Sequence, residues 1–180
     1  MIQWDNVFYC CERYFSVKCF VFLMAQRACF GAGCFWGVQS RFDAVKGVLK
    51  TLVGYMGGQV DEPSYKQVCS DNTGHAEVVY IEFDPAQVSY AELVDLFFSL
   101  HDPTQKNRQG VDIGSQYRSV IFYYSEAQHE VALKKFMELQ RSDKYKDDLV
   151  TEILPDARFW QAEPYHQKYL EKKGLNSCSL

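Results

Sequence analysis

The amino-acid sequence predicts an α+β fold: a two-layer sandwich of helices on a sheet, closed by a C-terminal helix and tail. Three observations carry that prediction. Segments of strand and helix character alternate as βαββαβ between residues 25 and 124. Two helices are announced by capping boxes, Ser89-Tyr90-Ala91-Glu92 and Ser125-Glu126-Ala127-Gln128. The chain, 180 residues with 47% hydrophobic and 16% aromatic side chains, is long and apolar enough to bury one real core.

Each element follows from local pattern. Residues 25–30 read as a short strand, and Gly31-Ala32-Gly33 as a turn whose glycines permit positive φ. A helix is expected over 34–46, with Val38, Phe42 and Val45 on one face and Gly47 at its end. Val48 to Tyr55 is the next strand. Residues 56–74 are rich in Gly, Pro, Asp, Asn and Ser, and read as one long loop. His75 to Asp84 is a strand ending at Pro85. Val88 and Leu93 staple the start of a helix that runs to about Leu100, with Leu93, Leu96, Phe97 and Leu100 inward and Pro103 closing it. Residues 104–116 are a polar loop, Tyr117 to Tyr124 a strand, and 126–141 a helix. Leu149 to Leu154 is a strand, and Glu163-Pro164 opens a last helix ended by Gly174. The βαββαβ order is the split βαβ, ferredoxin-like arrangement.

Residues 1–23 differ. They are rich in Phe, Tyr and Cys and lack a clear period. Asp5 and Glu12 count against the positive flank of a secretory signal. The expected organisation is an N-terminal extension over 1–23, dispensable, and a single domain over 24–180.

Composition excludes several classes. Net charge is −4 and no Lys/Arg block exceeds two residues, so nucleic-acid and membrane-surface binding have no electrostatic basis. No apolar run approaches the roughly 18 residues of a membrane span. Seven cysteines (10, 11, 19, 29, 34, 69 and 178) with no CxxC pair fit neither a disulfide framework nor a zinc ribbon. A reducing cytoplasm is expected, with at least one reactive thiol.

That thiol is expected at Cys34. Gly33-Cys34-Phe35-Trp36-Gly37 places it after a glycine turn at a helix start, where backbone N–H groups favour an anion. Phe35 and Trp36 would set an apolar wall beside it, suited to a methyl group or a polarizable sulfur. In Thr73-Gly74-His75-Ala76-Glu77, Glu77 shares strand parity with Val79, Ile81 and Phe83. A carboxyl on that face loses hydration and can stay protonated as a general acid; at a frayed strand end it would be wet. Tyr65 in the long loop and Tyr117 at a loop-to-strand entry are candidate donors to a developing negative oxygen, with Asp112 at the same entry; surface tyrosines and an Asx turn are the plainer readings. Cys178, near the C-terminus, could reach a distant sulfur. Cys69 and Cys29 read as bystander or packing residues. His75-Ala76-Glu77 matches half of a zinc deaminase signature, but the P-C-x-x-C half is missing, so no metal is expected.

Taken together, these motifs with Gly54-Tyr55-Met56-Gly57-Gly58, Tyr65-Lys66-Gln67-Val68, His101-Asp102-Pro103 and Gln116-Tyr117-Arg118-Ser119 resemble the peptide methionine sulfoxide reductase A family over about residues 24–178. The resemblance implies reduction of the S epimer of methionine sulfoxide, free or in proteins, with thioredoxin as reductant and no cofactor. It makes Cys34 the nucleophile, Phe35 and Trp36 the methyl pocket, and Glu77, Tyr65 and Tyr117 the oxygen-binding acid and donors. Asp112 would orient substrate or water, and Cys178 would resolve the Cys34 sulfenic acid as a Cys34–Cys178 disulfide. The chain departs from the family in three places: it has one C-terminal cysteine where some members have two, Ser70-Asp71-Asn72 where a glycine is common, and the 1–23 segment. Two rival readings stand beside this one. A Cys-dependent acyl-transfer enzyme would use His75, His101 or His166 as base, and a non-catalytic module would bind methionine through Phe35 and Trp36.

Overall fold

A computed structural model of the chain describes residues 25–175. The N-terminal extension and Cys178 lie outside the described residues. β1 (Gln26–Ala32) leads to α1 (Phe35–Asp43), β2 (Val48–Met56), α2 (Tyr65–Cys69), β3 (Ala76–Phe83) and α3 (Tyr90–Leu100). A small hairpin, β4 (Arg108–Gln109) with β5 (Asp112–Ile113), runs into a 3-10 turn at Ser115–Tyr117. β6 (Ser119–Tyr123), α4 (Glu126–Gln140), β7 (Glu152–Pro155), β8 (Trp160–Gln161) and α5 (Tyr169–Lys172) complete the described chain.

The main sheet has the order β7-β6-β1-β3-β2-β8. Its four central strands are antiparallel neighbours, so β1 and β2 run parallel with β3 between them. β7 joins β6 in parallel, and β8 pairs with Gly54 and Tyr55 at the other edge, giving a mixed sheet in an α/β fold.

Strand parity divides the core. Ala28, Phe30 and Ala32 of β1 face α1, α3 and α4, and Phe30 stacks between Phe42 and Phe97 with ring centroids 5.3 Å away in each case. Each such fully buried side chain contributes roughly 1.5–3 kcal/mol. Cys29, Val78, Val120 and Phe122 face the other way, where Tyr124, Leu154 and Phe159 cover them. Glu77 lies on β3 with Val79, Ile81 and Phe83, on the helix side, and is 1% exposed. The wet strand end is therefore not its environment.

The structure revises several expected boundaries. α1 begins at Phe35, and Cys34 is its N-cap residue (φ −57°, ψ 118°) rather than a member of the first turn. The 56–74 loop contains α2, because Ser64 and Gln67 form a full capping box. The 104–116 loop holds the β4–β5 hairpin, and Tyr117 belongs to the 3-10 turn, so the strand begins at Ser119. Ser125 caps α4, but Gln128 does not close the box; its carbonyl accepts from Tyr124 N and its amide donates to Arg27 O, tying α4 to β1. The C-terminal helix shrinks to four residues, since Lys168 takes a left-handed φ of 54° and its N–H is satisfied by Gln39 Oε1.

Candidate active site

The site grows from the junction of β1 and α1. Gly33 has φ +94°, a conformation L side chains avoid, and a Cβ there would lie 2.8 Å from Gln109 Cβ. Glycine thus allows both the sharp turn and the close approach of the β4–β5 hairpin. The turn leaves Cys34 half-buried at the helix N-cap.

Glu77 reaches the same point from β3. Its Oε2 accepts the Phe35 backbone N–H at 3.1 Å, so the carboxyl sits against the residue that follows Cys34. Burial pushes its pKa up to about 8, the field of Asp112 pushes the same way, and the Phe35 N–H partly opposes them. The carboxyl is consequently neutral at pH 7, with its other oxygen left to carry a proton.

The phenols arrive on loops. Tyr65 opens α2, where its N–H donates to Glu163 Oε1 at 2.9 Å. Burial raises its phenol pKa, with further contributions from a hydrogen bond to Cys69 and the fields of Cys69, Glu77 and Tyr117. Burial also raises Tyr117, followed by the fields of Glu77, Cys69, Asp112 and Cys34. Such mutual fields require proximity. The structure thus brings Cys34, Glu77, Tyr65, Asp112 and Tyr117 into one cluster. Both phenols remain protonated donors at any ordinary pH.

Phe35 and Trp36 form an aromatic wall with ring centroids 6.5 Å apart. Phe35 is buried against Tyr55 and His166, so half-buried Trp36 offers the larger surface. Trp36 stacks on Tyr169 at 3.9 Å, and its indole N–H donates to His166 Nδ1 at 3.0 Å. On Trp36 there also opens a cleft of about 290 Å³, bounded by Asp43, Lys168, Tyr169 and Leu175.

Several contributors escaped the sequence reading. Glu163 accepts from Tyr55 OH at 3.0 Å as well as from Tyr65 N, and so fixes α2 against β2; partners 108 and 98 residues away leave no local signal. Arg118 holds the approach to Tyr117 by donating to Ser115 O (2.9 Å) and Gly74 O (3.1 Å). Asp71 stands at φ +57°, which explains why glycine suits this loop, and its Oδ1 accepts from Ser115 N at 2.9 Å and from Ser115 Oγ. Cys69 is exposed on α2, and it is among the groups that raise the Tyr65 phenol pKa. Cys29 is a packing residue, buried with its thiol 3.6 Å from Met56 Sδ.

Two of the three histidines of the acyl-transfer reading have both ring nitrogens engaged, and the third has one. His75 takes Gly58 N–H on Nδ1 and meets Val60 O through Nε2. His101 meets Phe97 O and Ser119 Oγ, and burial lowers its pKa to about 4. His166 Nδ1 is occupied by Trp36. Glu77, by contrast, holds its carboxyl against the N–H of the residue that follows Cys34. Among the described residues no group of three His, Cys, Asp or Glu could hold a metal ion, and no helix is long and apolar enough to cross a membrane.

The family model described as peptide methionine sulfoxide reductase matches residues 26–180. Peptide methionine sulfoxide reductase MsrA of Geobacter sulfurreducens is 56% identical over 153 residues, covering 85% of this chain and 94% of that protein. The protein of the same name from Methanothermobacter thermautotrophicus is 52% identical over 155 residues, covering 86% and 92%. Among solved structures, reduced Mxr1 from Saccharomyces cerevisiae superposes with a TM-score of 0.79 at 35% identity, covering 84% of this chain and 87% of that one. Methionine sulfoxide reductase A of Corynebacterium diphtheriae gives 0.76 at 36% identity, covering 87% and 78%. With a matched model over nearly the whole described chain and relatives above 50% identity, the chain belongs to the peptide methionine sulfoxide reductase family.

Proposed function

We propose that this protein is a peptide-methionine (S)-S-oxide reductase that returns methionine-S-sulfoxide, free or in proteins, to methionine. The observation that carries the reading is the neutral, buried Glu77 carboxyl hydrogen-bonded to the N–H of the residue after Cys34. A sulfoxide sulfur accepts a thiolate only while its oxygen is being protonated or hydrogen-bonded. Glu77 supplies that proton, and Tyr65 and Tyr117 donate to the oxygen. The Cys34 thiolate attacks the sulfur as its oxygen takes the Glu77 proton, forming an S–S bond; the hydroxyl then passes to Cys34 Sγ as the S–O and S–S bonds break, releasing methionine. The sulfoxide sulfur gains two electrons, and Cys34, having lost two, becomes a sulfenic acid. Trp36 and Phe35 receive the S-methyl group, and Asp112 orients substrate or water.

Cys178 then attacks Cys34, releasing water and forming the Cys34–Cys178 disulfide. Leu175 borders the cleft on Trp36, and three further residues span up to roughly 10 Å, which supports this partner. A thioredoxin-type dithiol exchanges with the disulfide and restores both thiols. The working unit is residues 24–180, with 1–23 a dispensable extension; the family match from residue 26 supports that boundary. We read the core β6-β1-β3-β2 with α1 and α3 as ferredoxin-like, supported by its strand order and antiparallel pairing. We place the protein in a reducing cytoplasm, a reading supported by seven cysteines that form no disulfide-framework pattern.

The test is mass spectrometry of the chain after one equivalent of methionine-S-sulfoxide. Methionine and a peptide linking Cys34 to Cys178 are expected. Absence of methionine overturns the activity. A Cys34–Cys69 link, or a persistent sulfenic acid, overturns the assignment of Cys178. The boundary is checked separately: a chain beginning at Met24 should retain full activity.

A further inference from the structure

We infer that His166 is a positioning residue that fixes where Trp36 sits within its plane and thereby the preference of the site for an S-methyl group over a larger S-alkyl group. The inference rests on the reductase reading above and adds a specificity determinant to it. Its basis is a hydrogen bond of unambiguous direction. An indole N–H can only donate, so His166 Nδ1, 3.0 Å from Trp36 Nε1, must be the acceptor. The imidazole is therefore neutral, with its hydrogen on Nε2.

That hydrogen has no partner among the described residues. His166 is 1% exposed, Nε2 is buried without a hydrogen bond, and Glu163 Oε2 stands off at 4.0 Å. An orphaned buried N–H is costly, and a phenylalanine would fill the same space without that cost. Packing alone does not account for histidine here, whereas the bond to Trp36 does.

The neighbours show what the bond controls. The His166 ring lies 5.2 Å from Phe35, 4.4 Å from Tyr65 and 4.2 Å from Tyr165, so it contacts both aromatic walls and one proposed oxygen donor. Trp36 is otherwise held by its stack on Tyr169, 3.9 Å away with planes 12° apart. A stack permits sliding within the plane. The bond at the indole edge removes that freedom, because it fixes where the Nε1 corner sits. The apolar wall at Trp36 thus has a set position against Phe35 and Tyr169. In a rigid apolar pocket one extra methylene changes selectivity by roughly 10–200-fold, and a wall free to slide loses part of that discrimination.

The experiment uses the full 180-residue chain and two substrates, methionine-S-sulfoxide and its S-ethyl analogue. His166→Phe should lower the methyl-to-ethyl ratio of kcat/KM about fivefold or more, with KM for the methyl substrate changing more than kcat. It should also shift the Trp36 indole N–H resonance upfield and speed its hydrogen exchange. His166→Asn, whose amide oxygen stands near the former Nδ1, should restore both the resonance and the ratio. His166→Gln, whose oxygen falls near the former Nε2, should restore neither, so the Asn–Gln pair decides the question if the Phe variant fails to fold. An active wild type whose ratio and indole signal are unmoved in His166→Phe, or equally altered in Asn and Gln, overturns the inference alone. A wild type that reduces neither sulfoxide overturns the reductase reading and this inference with it.

Discussion

Glu77 and Tyr117 approach the same thiol from opposite kinds of structure. Glu77 sits inside an eight-residue central strand, opposite Tyr55 of β2, with its side chain sealed beneath α1. Tyr117 ends a three-residue turn whose place is held by side chains, Arg118 to Ser115 and Gly74, and Asp71 to Ser115. The difference follows from what each group must do. A proton donor needs a displaced pKa, and only dependable burial displaces it that far. A phenol is a donor at its ordinary pKa, so it needs placement alone, which a tethered loop can supply. The sheet therefore carries the group whose energetics matter, and the loops carry the groups whose geometry matters.

The largest expected effect strikes the sheet side. Glu77→Gln removes the proton while keeping the shape and the bond from Phe35, and should slow sulfenic acid formation about 10²–10⁴-fold in single-turnover assays. An unchanged rate would remove the distinction drawn above. The same residue should tie stability to pH. Its pKa in the folded protein is about 8 against 4.5 when unperturbed, so the unfolded chain releases this proton first. Stability from this group is then fully present below the unperturbed value and lost as pH rises toward the folded one. Denaturant titrations should show wild type losing up to about 1.4 kcal/mol per pH unit across that window, relative to Glu77→Gln.

Smaller effects should fall on the loop side. Arg118→Met strips Gly74 O of its guanidinium donor and breaks the ion pair with Glu152, while Ser115 O keeps the backbone N–H of residue 118; it should cost about 1–3 kcal/mol of stability with a several-fold slower single turnover. Asp71→Gly relieves a left-handed non-glycine residue but loses both links to Ser115. These terms are each about 1 kcal/mol and opposed, so stability should change by less than about 1 kcal/mol. A large loss of rate in Asp71→Gly with an intact fold would show that the tether governs more than placement.

The same contrast explains what could be read in advance. Strand parity placed Glu77 on the face of Val79, Ile81 and Phe83 but left open a wet strand end; its burial was settled by the packing of α1 over that end, which no local pattern shows. α3 was legible from Ser89 and Glu92, whose box is fully formed. α2 carried an equivalent signal in Ser64 and Gln67, masked by the Gly- and Asp-rich residues on either side. The two-residue strands β4, β5 and β8 are too short to show any period, and exist through their partners. Glu163, Arg118, Asp71 and His166 act through bonds to residues far along the chain or through backbone geometry, and no local pattern encodes such pairings.

In the proposed mechanism a neutral Glu77 delivers the proton as Cys34 attacks. This step is tested most directly by the rate of the first turnover with methionine-S-sulfoxide as a function of pH, in wild type and Glu77→Gln. The wild-type rate should fall tenfold per unit above pH about 8, and this descending limb should be absent from the much slower variant. A wild-type rate that stays level from pH 7 to well above that value, or a variant that keeps the same limb, would contradict it.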